Sequence, residues 1–319
     1  MFFGWLFILF ISTMINISFS INNCQQSPVT PCKAKTSGLS ELTCYVNYST
    51  VSENMIPVDL ECLEIEGDYN GIQKFDRFHL SLERITKIDR PIQILNEHLF
   101  NFSSMELIII SNEIHIDKCP FCYLQNNNKQ LKFTVTNLKI YKNNQLIQKE
   151  SDCNPQVFNQ ESIFNNFTDF EIRGIDKSSS KICPLLFKYV SFDSFTFINH
   201  ESLNEISYVF VDTNQDPDAR MSTVYLIGFK QFSRLYFNKY LFKHSYQIHV
   251  NLDADEKVSI DDDAFDDFMN LRKLSFDSLD YSNINIQTFY SEHKKFFLNL
   301  RQKTFNSSLY LSLIHTRRG

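Results

Sequence analysis

The tetrapeptide Cys119-Pro-Phe-Cys122 holds the one spacing in this chain that matches a catalytic motif. Two thiols separated by two residues can run disulfide exchange when the first sits at a helix N-terminus, which lowers its pKa. That chemistry needs a strand before the motif and a helix after it. The next eight residues are Tyr-Leu-Gln-Asn-Asn-Asn-Lys-Gln, a poor helix opening. The same cysteines therefore read better as structural bridges, to each other or to Cys153 and Cys183. Zinc held by this pair would need two more ligands at suitable spacing.

The acidic run Asp253 to Asp267 carries eight carboxylates. Calcium needs several oxygens converging at fixed offsets. Aligned from Asp253, the run has Val258 where an EF-hand loop has Gly and Ala264 where it has Glu, so it reads as a solvated connection. The histidines are scattered, with no HExxH pair and no GxSxG beside them. His249 falls in the alternating Tyr-Gln-Ile-His-Val-Asn-Leu, as an outward residue of a strand. None of this specifies an enzyme, a metal or a cofactor.

The elements that would carry these residues belong to a chain bound for the secretory route. Residues 1–20 are apolar, uncharged in their side chains and end in Ser18-Phe19-Ser20, which reads as a cleavable signal peptide. All eight cysteines (Cys24, Cys32, Cys44, Cys62, Cys119, Cys122, Cys153 and Cys183) come after it, an even count suited to up to four disulfides in an oxidising compartment. Sequons begin at Asn47, Asn101, Asn166 and Asn306. No later segment is long and apolar enough for a membrane span, and the basic C-terminal residues do not suit a GPI tail. The net charge of −6 argues against nucleic acid as a partner. Glycine, at seven residues, is scarce, which disfavours folds built on tight glycine turns and Gly-rich phosphate loops.

Four segments are expected: the signal peptide over 1–20, a cysteine-rich cap over 21–57, a repetitive body over 58–300 and a tail over 301–319. Within the body the apolar residues keep a rhythm of three, three, three and then two. Phe265, Phe268, Leu271, Leu274 and Phe276 show it, as do Leu186, Tyr189, Phe192, Phe195 and Phe197. Leu226, Phe229, Phe232, Leu235 and Phe237 repeat it, and so do Leu99, Phe102, Met105, Ile108 and Ile110. The spaced-by-three part reads as a coil or short helical turn keeping one side inward. The final pair reads as a strand, in which alternate side chains share a face.

This pattern, clearest in Asp-Ala-Phe-Asp-Asp-Phe-Met-Asn-Leu-Arg-Lys-Leu-Ser-Phe over 263–276, resembles the leucine-rich repeat. Leu107, Ile109, Asn112 and Ile114 fit the family's asparagine form in a shifted register. The resemblance implies an α/β fold, a degenerate solenoid with a curved parallel sheet and helical or irregular returns. The alternative is an all-β fold, a sandwich or a β-helix. In the solenoid, Glu171, Arg173, Arg234, Tyr236, Asn238, Lys273, Ser275 and Asp277 would line the concave sheet. The functional expectation is a secreted, non-catalytic glycoprotein that binds an extracellular protein or glycan through that face. The alternatives are a structural or non-catalytic subunit of an extracellular complex, and a secreted thiol–disulfide oxidoreductase.

Overall fold

Alternation such as Phe78-His79-Leu80-Ser81 is what a strand with one buried face requires, and strands of this kind make almost the whole architecture. The computed structural model describes residues 30–35, 39–46, 54–67, 74–82, 85, 87–110, 113–124, 130–136, 138–147, 149–158, 162–173, 182–198, 210, 216–229, 239–252, 271, 273–278 and 310–314. One long sheet contains β1 (Thr30–Lys35), β2 (Glu41–Tyr45), β4 (Leu63–Gly67), β5 (Lys74–Ser81), β8 (Asn101–Ile110) and β10 (Gln130–Thr136). It continues through β13 (Asp169–Arg173), β14 (Ser191–Ile198), β15 (Arg220–Phe229), β16 (Gln247–Leu252), β17 (Lys273–Ser278) and β18 (Tyr310–Ile314). The spatial order from one edge is β18, β17, β16, β15, β14, β13, β10, β8, β5, β2, β1, β4. All these neighbours pair parallel except β1 and β2, which are antiparallel.

Between long-sheet strands the chain returns through a second, lateral sheet and a third side. The lateral sheet joins β6 (Lys87–Ile88), β9 (Glu113–His115) and β11 (Lys139–Lys142) in parallel, with β12 (Gln145–Leu146) antiparallel at its edge. The third side pairs β3 (Ile56–Asp59) with β7 (Ile92–Leu95), extended by the Ile92 N–H donating to the Pro120 carbonyl at 2.8 Å. β1 and β2 lie inside the expected cap and β18 inside the expected tail, while residues 1–20 lie outside the described residues.

The expected α/β class is not what forms. The described residues are mostly strand with almost no helix, in a large mixed sheet, and the all-β alternative fits them. Helical structure among the described residues is limited to the four-residue Lys239–Phe242 and to single turns such as Pro184–Phe187. The returns are therefore strands and turns.

The reason lies in the spacing of three. In β14, Phe192 and Phe195 are both buried although they stand three apart in a strand. The N–H groups of Asp193 and Ser194 both donate to the Thr168 carbonyl, as in a β-bulge, and the extra residue restores an inward direction to Phe195. In β5, Phe75 and Phe78 are buried around the same device, with Asp76 and Arg77 both donating to the Ser40 carbonyl. What reads as a helical turn is a strand with one residue added. In β8 the inward pair after Met105 is Leu107 and Ile109, and Ile108 is only half-buried, so the shifted register is the one that points inward.

Turns are made with little glycine. Asn96, Asn143, Asn144 and Asp218 take positive φ, between 50° and 62°, where a short polar side chain is tolerated.

Parallel register then stacks the interior. Phe133, Phe170 and Phe195 occupy one level on three adjacent strands. The Phe133 and Phe170 rings stack at 4.9 Å and the Phe170 and Phe195 rings at 5.8 Å, with Phe164 edge-on to Phe170 at 4.8 Å and Phe187 edge-on at 5.2 Å. Replacing the central ring leaves a cavity at the junction of all these contacts. Phe170→Ala is expected to cost about 3–5 kcal/mol in urea denaturation monitored by circular dichroism. A loss under about 1 kcal/mol would show that the stack carries no such weight.

Candidate functional site

Register on the outer face of the long sheet decides which polar side chains become neighbours. Thr43, His79, Glu106, Lys132, Asp169 and Ser194 stand at one level on consecutive strands. Two residues further along come Tyr45, Ser81, Ile108, Thr134, Glu171 and Thr196, and Tyr225 of β15 continues that level. Adjacent strands lie about 4.8 Å apart, so long polar side chains at these levels reach one another directly.

They form a charge ladder. His79 Nδ1 donates to Glu106 Oε2 at 3.0 Å, and Glu106 Oε1 accepts from Thr134 Oγ1 at 2.6 Å and from Lys132 Nζ at 3.2 Å. Lys132 Nζ also reaches Glu171 Oε2 at 2.6 Å, and the Arg173 guanidinium bonds Glu171 Oε1. Beside this ladder the buried Asp169 carboxylate accepts from Gln130 Nε2 at 2.8 Å and from the hydroxyl of Ser194. Burial of Glu106 opposes its ionisation, but the bonds from His79 and Thr134 and the charge of Lys132 outweigh it and hold the carboxyl at about 2. Burial likewise opposes the charge on Lys132, and Glu171 and Glu106 more than compensate, raising its pKa.

Further along the face the chemistry changes from charge to ring and hydroxyl. The Tyr225 and His249 rings stack at 4.9 Å, and Ser275 Oγ lies 2.5 Å from His249 Nδ1. This is a serine–histidine contact, yet Ser275 has no exposed surface and is closed to a substrate in this arrangement. Tyr225 is the exposed member of the group.

Among the expected face residues, Glu171 and Arg173 are brought together on β13, and Lys273 and Ser275 share β17. Four strand steps, about 19 Å, separate the two pairs. Asp277 comes next on the backbone of β17, while Arg234, Tyr236 and Asn238 lie outside the described residues, as does the acidic run over 253–267. Sequence reasoning missed His79, Glu106, Lys132, Asp169 and Tyr225. The signal that could have found them is the offset of about one coil: Lys132 lies 26 residues after Glu106 in sequence and beside it in space.

The cysteine pairs Cys32 and Cys44, Cys119 and Cys122, and Cys153 and Cys183 sit at bridging distance. Cys24 lies outside the described residues, and Cys62 is also disulfide-bonded. The turn at Cys119 is fixed from within, because Phe121 is buried against Phe133 and Phe167 while the Pro120 carbonyl is bonded to β7. Among the described residues no helix is long and apolar enough to cross a membrane, and no group of three or more His, Cys, Asp or Glu side chains could hold a metal ion.

No family model, curated protein or solved structure matches this chain. The chemistry of the face therefore rests on its geometry, and that geometry is a row of mutually neutralised charges. Glu106 has a folded pKa of about 2 against an ordinary 4.5, worth roughly 3 kcal/mol at neutral pH. That contribution is complete above the ordinary value and is lost as pH falls toward 2. Glu106→Gln is expected to lower stability by about 2 kcal/mol at neutral pH. In denaturation series at decreasing pH, the gap from the natural chain should close between 4.5 and about 2. A gap that stays constant with pH would mean the carboxylate charge contributes nothing.

Proposed function

We propose that this chain is a secreted, non-catalytic component of an extracellular assembly, a structural subunit that holds macromolecular partners in place. The observation that supports this reading most directly is the ladder from His79 to Arg173, in which each charge is spent on its neighbours. A general base works best with a pKa near the working pH. Glu106, at about 2, is far too weak a base for that work at neutral pH. The bridging cysteine pairs suit an oxidising compartment. A second reading, recognition of an extracellular protein or glycan through the sheet face, is favoured by the exposed Tyr225 ring held in place by His249.

The test is to express the full chain with a C-terminal tag in animal cells and recover it from the medium, with and without chemical cross-linking. The subunit reading expects a particle of fixed stoichiometry that survives Tyr225→Ala. A monomer whose cross-links disappear with Tyr225→Ala supports recognition instead. Retention inside the cell with free thiols sinks both.

Mass mapping of the recovered chain checks the glycoprotein part. Asn101 is exposed at the start of β8, whereas Asn166 is half-buried with Nδ2 donating to the Leu124 carbonyl at 2.7 Å. A glycan is expected on Asn101, with Asn166 largely unmodified. The reverse distribution would contradict the placement of both side chains.

A further inference from the structure

His115 is a buried imidazole with no bonding partner among the described residues. It closes β9 in the lateral sheet, is 2% exposed, and neither ring nitrogen makes a hydrogen bond there. Its ring stacks on Tyr141 of β11 at 5.0 Å with an interplanar angle of 12°. A neutral imidazole tolerates such a site with one unsatisfied N–H, whereas an imidazolium carries two donors and a full charge.

The charged groups around it are already engaged. On the β6 side, Asp89 is paired with Lys87 at 3.1 Å and Arg90 at 3.1 Å. On β9 itself, Glu113 Oε1 accepts from the Tyr141 hydroxyl at 3.1 Å. In the turn after β9, Asp117 faces Lys118 at 3.5 Å and accepts the Asn143 N–H at 3.2 Å. On β11, Lys142 donates to the Val157 carbonyl. No carboxylate in this set stands ready to receive a proton-bearing ring.

We propose that His115 is an acid-sensitive latch: when its imidazole takes up a proton from solvent, the lateral sheet of β6, β9 and β11 loosens while the long sheet stays folded. Burial, with the charge of Lys87, depresses the ring's pKa below its ordinary 6.5 despite Asp117, Asp89 and Glu113. The neutral ring is thus the form the fold accepts. The lateral sheet is secure above pH 6.5 and is progressively strained as pH falls from there through the folded value. The inward Ile88, Ile114 and Ile140 of the lateral sheet join the same core as the long sheet's phenylalanines. No described strand of the long sheet pairs with β6, β9 or β11, however, and His115 belongs to the lateral sheet alone. This inference is independent of the assembly proposed above.

Hydrogen exchange on the full secreted chain tests it, at about pH 7.5 and about pH 5, with exchange times scaled for the intrinsic chemical rate. Peptides covering 113–118 and 139–147 are expected to exchange about tenfold faster at the lower pH, with 130–136 and 191–198 unchanged. His115→Phe keeps a ring against Tyr141 and cannot take the proton, so the difference should vanish. An equal acid response in H115F assigns the effect to other titrating groups and overturns the proposal. The natural chain also decides alone if H115F fails to fold: an acceleration that is absent, or spread evenly over both sheets, overturns the latch.

Discussion

Parallel strands about 4.8 Å apart, held in register over most of the sheet, oblige residues one coil apart to be permanent neighbours. The rest of the molecule answers to that constraint. On the inside it makes a stack of rings possible, because Phe133, Phe170 and Phe195 recur at the spacing at which aromatic faces meet. On the outside it forces polar side chains into rows. Like charges would repel along such a row; His79, Glu106, Lys132 and Asp169 alternate along one, and Glu171 and Arg173, further along β13, extend the pairing from Lys132. The phenylalanine interior and the charge ladder are thus two results of one register.

The bulges let the coil turn without helices. Adding one residue between Phe75 and Phe78, or between Phe192 and Phe195, keeps both members of each pair inside while the strand bends. The device recurs at matching levels of neighbouring strands, since Phe75 pairs with Phe102 and Phe192 with Met221. Bending is therefore shared between strands and does not disrupt their pairing.

Much of the strand content is legible in sequence, because Phe78-His79-Leu80-Ser81 can hardly be anything but a half-buried strand. The class is not, because a spacing of three carries two meanings. In isolation Phe192 and Phe195 fit a helical turn as well as a bulged strand, and only the shared carbonyl of Thr168 distinguishes them. The asparagine-rich connections are informative about turns, and Asn96, Asn143 and Asn144 take the left-handed positions that glycine would fill elsewhere. The site is less legible. Glu171 and Arg173 sit two apart on one strand and can be read together, whereas Glu106 and Lys132 meet only through pairing between strands. His115 cannot be singled out from sequence, because nothing in Glu-Ile-His reveals how its ring will be buried.

The bridge between Cys153 and Cys183 closes a loop of sequence separation 30. Coils that touch only their neighbours yield one at a time when a chain is pulled from its ends. Thirty residues of released chain would add about 100 Å of slack at roughly 3.4 Å each. With this pair oxidised, that length stays locked however far the flanking coils give way. A chain pulled from its ends would thus have a mechanical stop in its middle for as long as this pair stays oxidised.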